Sequence, residues 1–337
     1  MAALHRTYAR VEADKARLQL DQGAARLRAS PSRFGRAGLM ARAAVLRATR
    51  PLATPQLLLD ERLLAGLRAV AFETSVAQRG ASSFPEPLGS RTVTDVRTDA
   101  GDLYLHADDS VMTPSIRENG LWEPAEGAFL RRALRPGLTF VDVGANIGYF
   151  SVLASGILGP EGRVIAIEPE ARNVALLKAN LWRNGCGNAV VLPVAAHVET
   201  GFLPLRLNEE NRGDHQVGWQ QGATTLVPCA RIDDLLVGHS VDVIKIDTQG
   251  VDHDVIAGLS GMLDKAARMT IMCEFWLDGM KARGVDPLAV AEGYRQLGFE
   301  LALLGADGEP NGAWPAEIVA TAQADYRRYV NIVLCRS

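Results

Sequence analysis

The chain has 337 residues, 47% hydrophobic and 22% charged, a balance ordinary for a soluble globular protein with room for one large domain and a smaller one. Its formal net charge of −3 is unevenly spread: residues 1–90 hold 14 Lys+Arg against 7 Asp+Glu, and the remainder is net −10, an acidic body that repels nucleic acid and attracts cations. No run of about twenty apolar residues is present, and Met1 to Arg28 carries arginines and acids throughout, so neither a membrane span nor a secretory core is expected and a cytoplasmic location is.

In chain order, residues 1–29 read as a helix stopped by Ser30-Pro31, and 36–50 and 55–79 as two more. Gly, Ser and Pro crowd the stretch from Arg79 to Ser90, which predicts a linker between a helical auxiliary domain (1–90) and a second domain (91–337). Thr92 to Ala107 alternates around Asp99-Ala100-Gly101-Asp102, a hairpin signal. A helix over 123–134 precedes apolar strand runs at 139–143, 163–168, 189–194, 241–246, 269–275, 298–304 and 329–335, each separated from the next by helical pattern. That alternation predicts an α/β fold with a mostly parallel sheet covered on both faces. Residues 202–207 and 224–229 read as an inserted strand pair joined by the polar loop Asn208 to Gln221.

The most informative segment is Phe140-Val141-Asp142-Val143-Gly144-Ala145-Asn146-Ile147-Gly148-Tyr149-Phe150, followed by Ile165-Ala166-Ile167-Glu168-Pro169. An apolar strand enters a glycine turn that opens a helix, and a second strand ends on a carboxylate able to accept from both hydroxyls of a ribose. Dinucleotide sites use G-x-G-x-x-G and seat a pyrophosphate. Here the glycines are four apart, with Asp142 ahead and Asn146 between. A carboxylate there repels a pyrophosphate and suits the amino group of S-adenosylmethionine (SAM). A plain strand–turn–helix with structural glycines is the competing reading, and Glu168 at the ribose position speaks against it.

The run from Asp142 to Ser151 resembles the signature of FkbM-type SAM-dependent methyltransferases, with Glu168-Pro169, Ile246-Asp247-Thr248-Gln249-Gly250, Cys273-Glu274-Phe275-Trp276 and Leu297-Gly298-Phe299 following in order. The similarity extends over roughly residues 92–335. It implies the class I SAM-methyltransferase (Rossmann-like) fold, with a seven-stranded, mostly parallel sheet and helices on both faces. It also implies methyl transfer to a hydroxyl or amine of a small natural product or sugar, with S-adenosylhomocysteine (SAH) as product and no metal required.

Position then assigns the cofactor-binding residues. Asp142 and the Gly144 backbone are expected at the methionine amino group, Asn146 at the methionine portion and Glu168 at the ribose. Gly148 lets the helix start approach closely, Ala195 and Ala196 pass the adenine, and Glu126 is a weaker cofactor candidate that also reads as a solvent-facing helix acid. Three candidates for the catalytic step lie at later strand ends. Asp247 reads as a base, a SAM contact or a helix N-cap; His253 as a general base or a surface residue; and Glu274, inside an apolar run, as a base or an anchor. For the acceptor, the candidates are Trp122, Glu123, Asp252 and Trp276, with Trp219 and Trp314 as further aromatics at loops.

The acidic body points to a polycationic amino sugar of aminoglycoside type. A neutral sugar or macrolide hydroxyl is the rival acceptor, and a non-catalytic SAM-fold protein that binds a partner through its N-terminal helices is the rival class. No nucleic acid or membrane partner is expected, and a homodimer is left open. Cys186, Cys229, Cys273 and Cys335 are scattered and the six histidines form no ligand cluster, so reduced thiols and no zinc site are expected.

Overall fold

The computed structural model describes residues 93–336, apart from 209, 218–223, 265 and 267. The helices and linker expected within 1–90, and Trp219, lie outside the described residues.

The described chain opens with the expected hairpin, β1 (Val93–Arg97) paired antiparallel with β2 (Asp102–His106). Two short helices follow, α1 (Met112–Asn119) and α2 (Pro124–Ala133), the second with proline in its first turn, where the missing N–H costs nothing. The pattern had not signalled α1. Strand β3 (Thr139–Val143), α3 (Tyr149–Leu158), β4 (Arg163–Ile167), α4 (Ala171–Arg183) and β5 (Ala189–Leu192) then build the first half of the sheet.

A separate four-stranded sheet follows, from β6 (Ala195–Ala196), β7 (Gly201–Arg206), β8 (Gln216–Val217) and β9 (Thr224–Ala230), in the order β6-β9-β7-β8. The predicted inserted pair is its β7–β9 core. Then come α5 (Ile232–Leu235), β10 (Val243–Ile246), α6 (Asp252–Ala257), α7 (Ser260–Leu263), β11 (Met269–Trp276), α8 (Leu277–Ala282) and α9 (Pro287–Gln296). The described chain closes with β12 (Glu300–Leu304), β13 (Pro310–Gly312), α10 (Pro315–Ala324) and β14 (Tyr329–Arg336).

The main sheet has eight strands in the order β13-β12-β14-β11-β10-β3-β4-β5. Seven are the expected ones; β13 is a three-residue edge strand whose Pro-Asn-Gly sequence carries no strand signal. Strands β5, β4, β3, β10 and β11 are mutually parallel, and β14 runs antiparallel between β11 and β12. This is the class I SAM-methyltransferase topology. Successive strand residues alternate between two apolar layers. Val141, Ile165, Ile244 and Ile271 face a layer that includes Val255, Ala291 and Ile318, while Phe140, Val164, Val243 and Met272 face one that includes Phe150, Leu153, Leu177 and Leu130. Burial on both faces explains why the strands read as continuous apolar runs.

The chain builds outward from β3 in one direction as far as β5, then returns to β10 on its other side. Ligands in such sheets bind at the crevice beyond the strand C-termini where the order reverses. Two contacts shape that crevice. Asn180 of α4 donates to the Ile147 carbonyl at 2.8 Å and exchanges bonds with Tyr104 of β2, tying the hairpin to the glycine turn. Gly144 has φ 78°, and a Cβ there would stand 1.9 Å from the Asp247 carbonyl oxygen. Glycine therefore lets the ends of β3 and β10 close on each other. Gly144→Ala should lower stability by about 2 kcal/mol or more, since left-handed backbone alone costs about 1–2 kcal/mol for a residue with a Cβ. Urea unfolding measures it, and an unchanged midpoint would mean the two strand ends are free to part.

Candidate active site

A cavity of about 1190 Å³ opens beyond the C-terminal ends of β3, β4, β10 and β11. Its walls come from the glycine turn, the end of β4, β6, the β7–β8 loop, the start of α2 and the first residues of β14.

On one wall, Gly144, Asn146 and Glu168 lie together. Asn146 sits at φ 49°, and its backbone N–H donates to Glu168 Oε2 at 2.9 Å; the Glu170 N–H donates to Oε1 at 2.9 Å. The carboxylate thus pins the turn to the end of β4 and keeps further acceptor capacity on both oxygens. Burial pushes the Glu168 carboxyl up to about 7, against the pull of those two N–H bonds. The Asn146 amide oxygen is buried and has no partner. Gly148, at φ 91°, lets the start of α3 close on Leu177, whose Cδ1 would lie 2.4 Å from an added Cβ. Its openness serves helix packing, not approach of a ligand. Ala195 and Ala196 continue the wall as β6.

At the ends of β10 and β11 four carboxyls line the cavity: Glu123, Glu126, Asp247 and Glu274. Among them lies Lys245, 4% exposed, its Nζ donating to Asp247 Oδ2 at 2.9 Å and standing 4.7 Å from the centre of the Phe150 ring. Asp247 Oδ1 accepts from Gln249 Nε2 at 2.9 Å. Glu126 accepts from the Asn331 amide. Burial, with the charges of Asp247, Asp252 and Glu123, pushes the Glu274 carboxyl well above its usual range. Burial and Glu126 do the same to Glu123. The Lys245 ammonium moves the other way to burial: Asp247, Glu123 and Asp142 hold it charged. Trp122 and Tyr329 supply aromatic surface to the same cavity.

Besides Gly148, four expected site residues lie off the cavity wall. Asp142 shares the Phe140 face of β3, so its side chain points towards α3, accepts from Ser151 Oγ at 2.6 Å and is 1% exposed. Asp252 is buried below the wall, accepting from Thr248 Oγ1 at 3.1 Å. His253, in the first turn of α6, is buried, with Nε2 at 3.7 Å from Asp254, so it is neither at the reaction edge nor on the surface. Trp276 lies over two glycines: added Cβ atoms at Gly250 and Gly279 would meet its Cε3 at 2.8 and 2.5 Å. Its role there is packing. Asp247 does not cap α6 either, because that helix starts after Val251.

Sequence reasoning missed Lys245, Asn331, Arg212 and His215, all on the cavity wall. Lys245 had a signal, a lone cation inside the apolar run Val243-Ile244-Lys245-Ile246, of the same kind that singled out Glu274. The two loop residues had none. Among the described residues no group of His, Cys, Asp and Glu is arranged to hold a metal, and no helix is long and apolar enough to cross a membrane.

Residues 142–301 match the methyltransferase FkbM domain. No curated protein sequence matches the chain. Similar solved structures include precorrin-6y C5,15-methyltransferase from Geobacter metallireducens GS-15 (14% identity, 63% of this chain and 88% of that one, TM-score 0.37). M. jannaschii TYW2 in complex with AdoMet is another (13% identity, 74% and 86%, TM-score 0.40), as is a SAM-dependent methyltransferase from Aquifex aeolicus (13% identity, 68% and 99%, TM-score 0.37). The segment that matches the FkbM domain model contains the glycine turn, Glu168, Asp247 and Glu274, and the protein is a SAM-dependent methyltransferase.

Proposed function

We propose that the acceptor is a cationic amino sugar of aminoglycoside type, as in gentamicin-class antibiotic biosynthesis, and that methyl transfer goes to one of its amines. The observation that carries this reading is the set of four carboxyls, Glu123, Glu126, Asp247 and Glu274, around the single buried ammonium of Lys245. Arg327, also on the wall, is paired with Asp325, so the four carboxyls exceed what Lys245 can balance, and a bound polycation supplies the rest.

The other wall fits SAM by its donor set. The Glu168 carboxylate and the orphaned Asn146 amide oxygen are acceptors, and the ribose hydroxyls and amino group of SAM are donors. Bound SAM supplies an activated methyl on a sulfonium. What remains for the chain is to align the acceptor, exclude water and remove a proton from the attacking amine. Asp247, held from two sides by Lys245 and Gln249, anchors the cation. Glu274 has no such bonds to hold it, and a cation beside it lowers its affinity for a proton. As the cation binds, Glu274 releases its own proton to solvent, and the carboxylate so formed accepts the ammonium proton, leaving a lone pair on nitrogen free to attack. Trp122 and Tyr329 cover the apolar faces of the sugar.

Cofactor binding should depend on pH through Glu168. Its carboxyl titrates at about 7, and the ionised form is the better acceptor for ribose hydroxyls, so SAH affinity should be higher at pH 8 than at pH 6. Glu168→Ala should cost at least tenfold in affinity, because each charge-assisted hydrogen bond contributes about 1.5–3 kcal/mol. Calorimetry at the two pH values tests both, and wild-type affinity in the variant would place the ribose elsewhere.

The acceptor is tested by incubating enzyme and SAM with amino sugars, neutral sugars and macrolides and reading +14 mass shifts. Methylation of amino sugars, with binding that weakens as salt rises, is expected; transfer confined to neutral hydroxyls would establish the rival acceptor. With the substrate so found, Glu274→Gln should lower kcat about a hundredfold while SAM affinity holds. His253→Ala, off the cavity wall, should turn over at close to the wild-type rate.

A further inference from the structure

The β7–β8 loop brings a second set of polar groups to the cofactor wall. Asn211, Arg212, Gly213, Asp214 and His215 line the same cavity as Asn146 and Glu168. The loop is fastened on two sides. The Arg212 N–H donates to Asp109 Oδ2 at 2.8 Å and its guanidinium to Asp108 at 2.7 Å, while Ser110 bonds the Glu210 carbonyl through both N–H and hydroxyl. Within the loop, the Asn208 amide oxygen accepts from the Asn211 N–H at 3.0 Å.

His215 is held in one tautomer by this arrangement. Its Nδ1 accepts from the Asn208 backbone N–H at 3.0 Å. In a neutral imidazole the proton must then sit on Nε2. Burial holds the ring below its usual range, with Arg212 also opposing its protonation and Glu170 and Asp214 favouring it, so the neutral form is the one present at pH 7. The Nε2 atom is buried and has no partner. A buried donor left unpaired is costly and calls for an explanation. Here the explanation lies in the cavity the ring lines. Asn146 Oδ1 is an orphaned acceptor in that same wall. The cofactor side thus presents unused groups of both kinds.

We propose that His215 is a cofactor-binding residue, donating its Nε2–H to an acceptor atom of bound SAM or SAH. The assignment rests on the SAM reading above and extends it to the inserted sheet, which the methyltransferase topology itself does not require.

Two variants separate the two ring nitrogens. His215→Asn keeps an oxygen where Nδ1 accepts from Asn208 and removes the donor at Nε2. His215→Gln places an amide donor near the Nε2 position and gives up the loop bond. Calorimetry with SAH should find H215N about three- to tenfold weaker than wild type, the range for one neutral hydrogen bond, and H215Q closer to wild type. The ligand-free H215N protein should unfold at the wild-type temperature, because the loop bond is kept. 5′-Methylthioadenosine, which lacks the amino-acid part, locates the partner: an equal loss puts it on the adenosine, and a loss seen with SAH alone puts it on the carboxylate. Undiminished SAH binding by H215N, or a weakening matched by a lower unfolding temperature, overturns the assignment. Failure of the wild-type protein to bind SAH at all overturns the SAM reading, and the assignment falls with it.

Discussion

The site is organised around an ammonium that has almost no access to water. Lys245 stands mid-sheet on β10, bonded to Asp247 and over the Phe150 ring, with Asp142 and Glu123 among the charges that hold it protonated. Taking such a group out of water is expensive, and removing one partner of a buried pair costs about 3–5 kcal/mol. The arrangement therefore demands acid nearby. That demand explains why a strand from the middle of the sheet ends on an aspartate, and why the carboxyl of Asp142 is tolerated beneath it with one oxygen unpaired. Close approach of β3 and β10, permitted by Gly144, brings the two acids to one cation. Geometry and charge balance are here a single constraint.

From that centre the cavity divides in two. The cofactor wall is mostly hydrogen-bonded already: Glu168 accepts from two backbone amides, and the loop from 208 to 215 is bonded within itself and to Asp108 and Asp109. The wall at the ends of β10 and β11 is richer in acid than its bonds can use. Burial drives Glu123 and Glu274 towards their neutral forms, so the resting site stores protons instead of negative charge. Raised carboxyls carry a thermodynamic consequence. A native state that binds more protons than the unfolded chain loses that contribution as pH rises, and for Glu168 and Asp252, both at about 7, the loss falls across neutrality. The acids are thus held at some expense to stability, which is the usual pattern where groups are kept for binding and not for folding.

The glycine turn, Glu168 and the parallel sheet were legible because each depends on local pattern. Apolar runs of strand length and glycines at a fixed spacing survive translation into structure almost unchanged. Side-chain direction did not survive so well. Asp142 and Gly144 are two residues apart, yet one points into the α3 layer and the other abuts the cavity, and only the pairing of β3 with its neighbours decides which. His253 and Trp276 follow strand ends as a reacting group would, but the packing of α6 and of Gly250 and Gly279 turns them inward. Lys245 was legible in principle, by the same argument that singled out Glu274. β13 and α1 carried too little pattern to be seen, and nothing local in the polar loop after β7 says which ligand, if any, it meets.

That loop shows what the inserted sheet adds. The Rossmann-like core supplies acceptors to the cofactor wall, as strand ends and carboxylates tend to do. SAM also presents acceptors of its own in its ribose, adenine and carboxylate, and a wall made of acid alone leaves those unpaired. Beside the amides of Asn146 and Asn173 from the core, the insert adds the side chains of Arg212 and His215 to this wall. Their positions are set by bonds that run from the loop to Asp108 and Asp109, just after the hairpin, and the hairpin is itself tied by Asn180 to the glycine turn. The turn and the loop are thus each fastened to the same hairpin segment, the turn through Asn180 and Tyr104, the loop through Asp108 and Asp109.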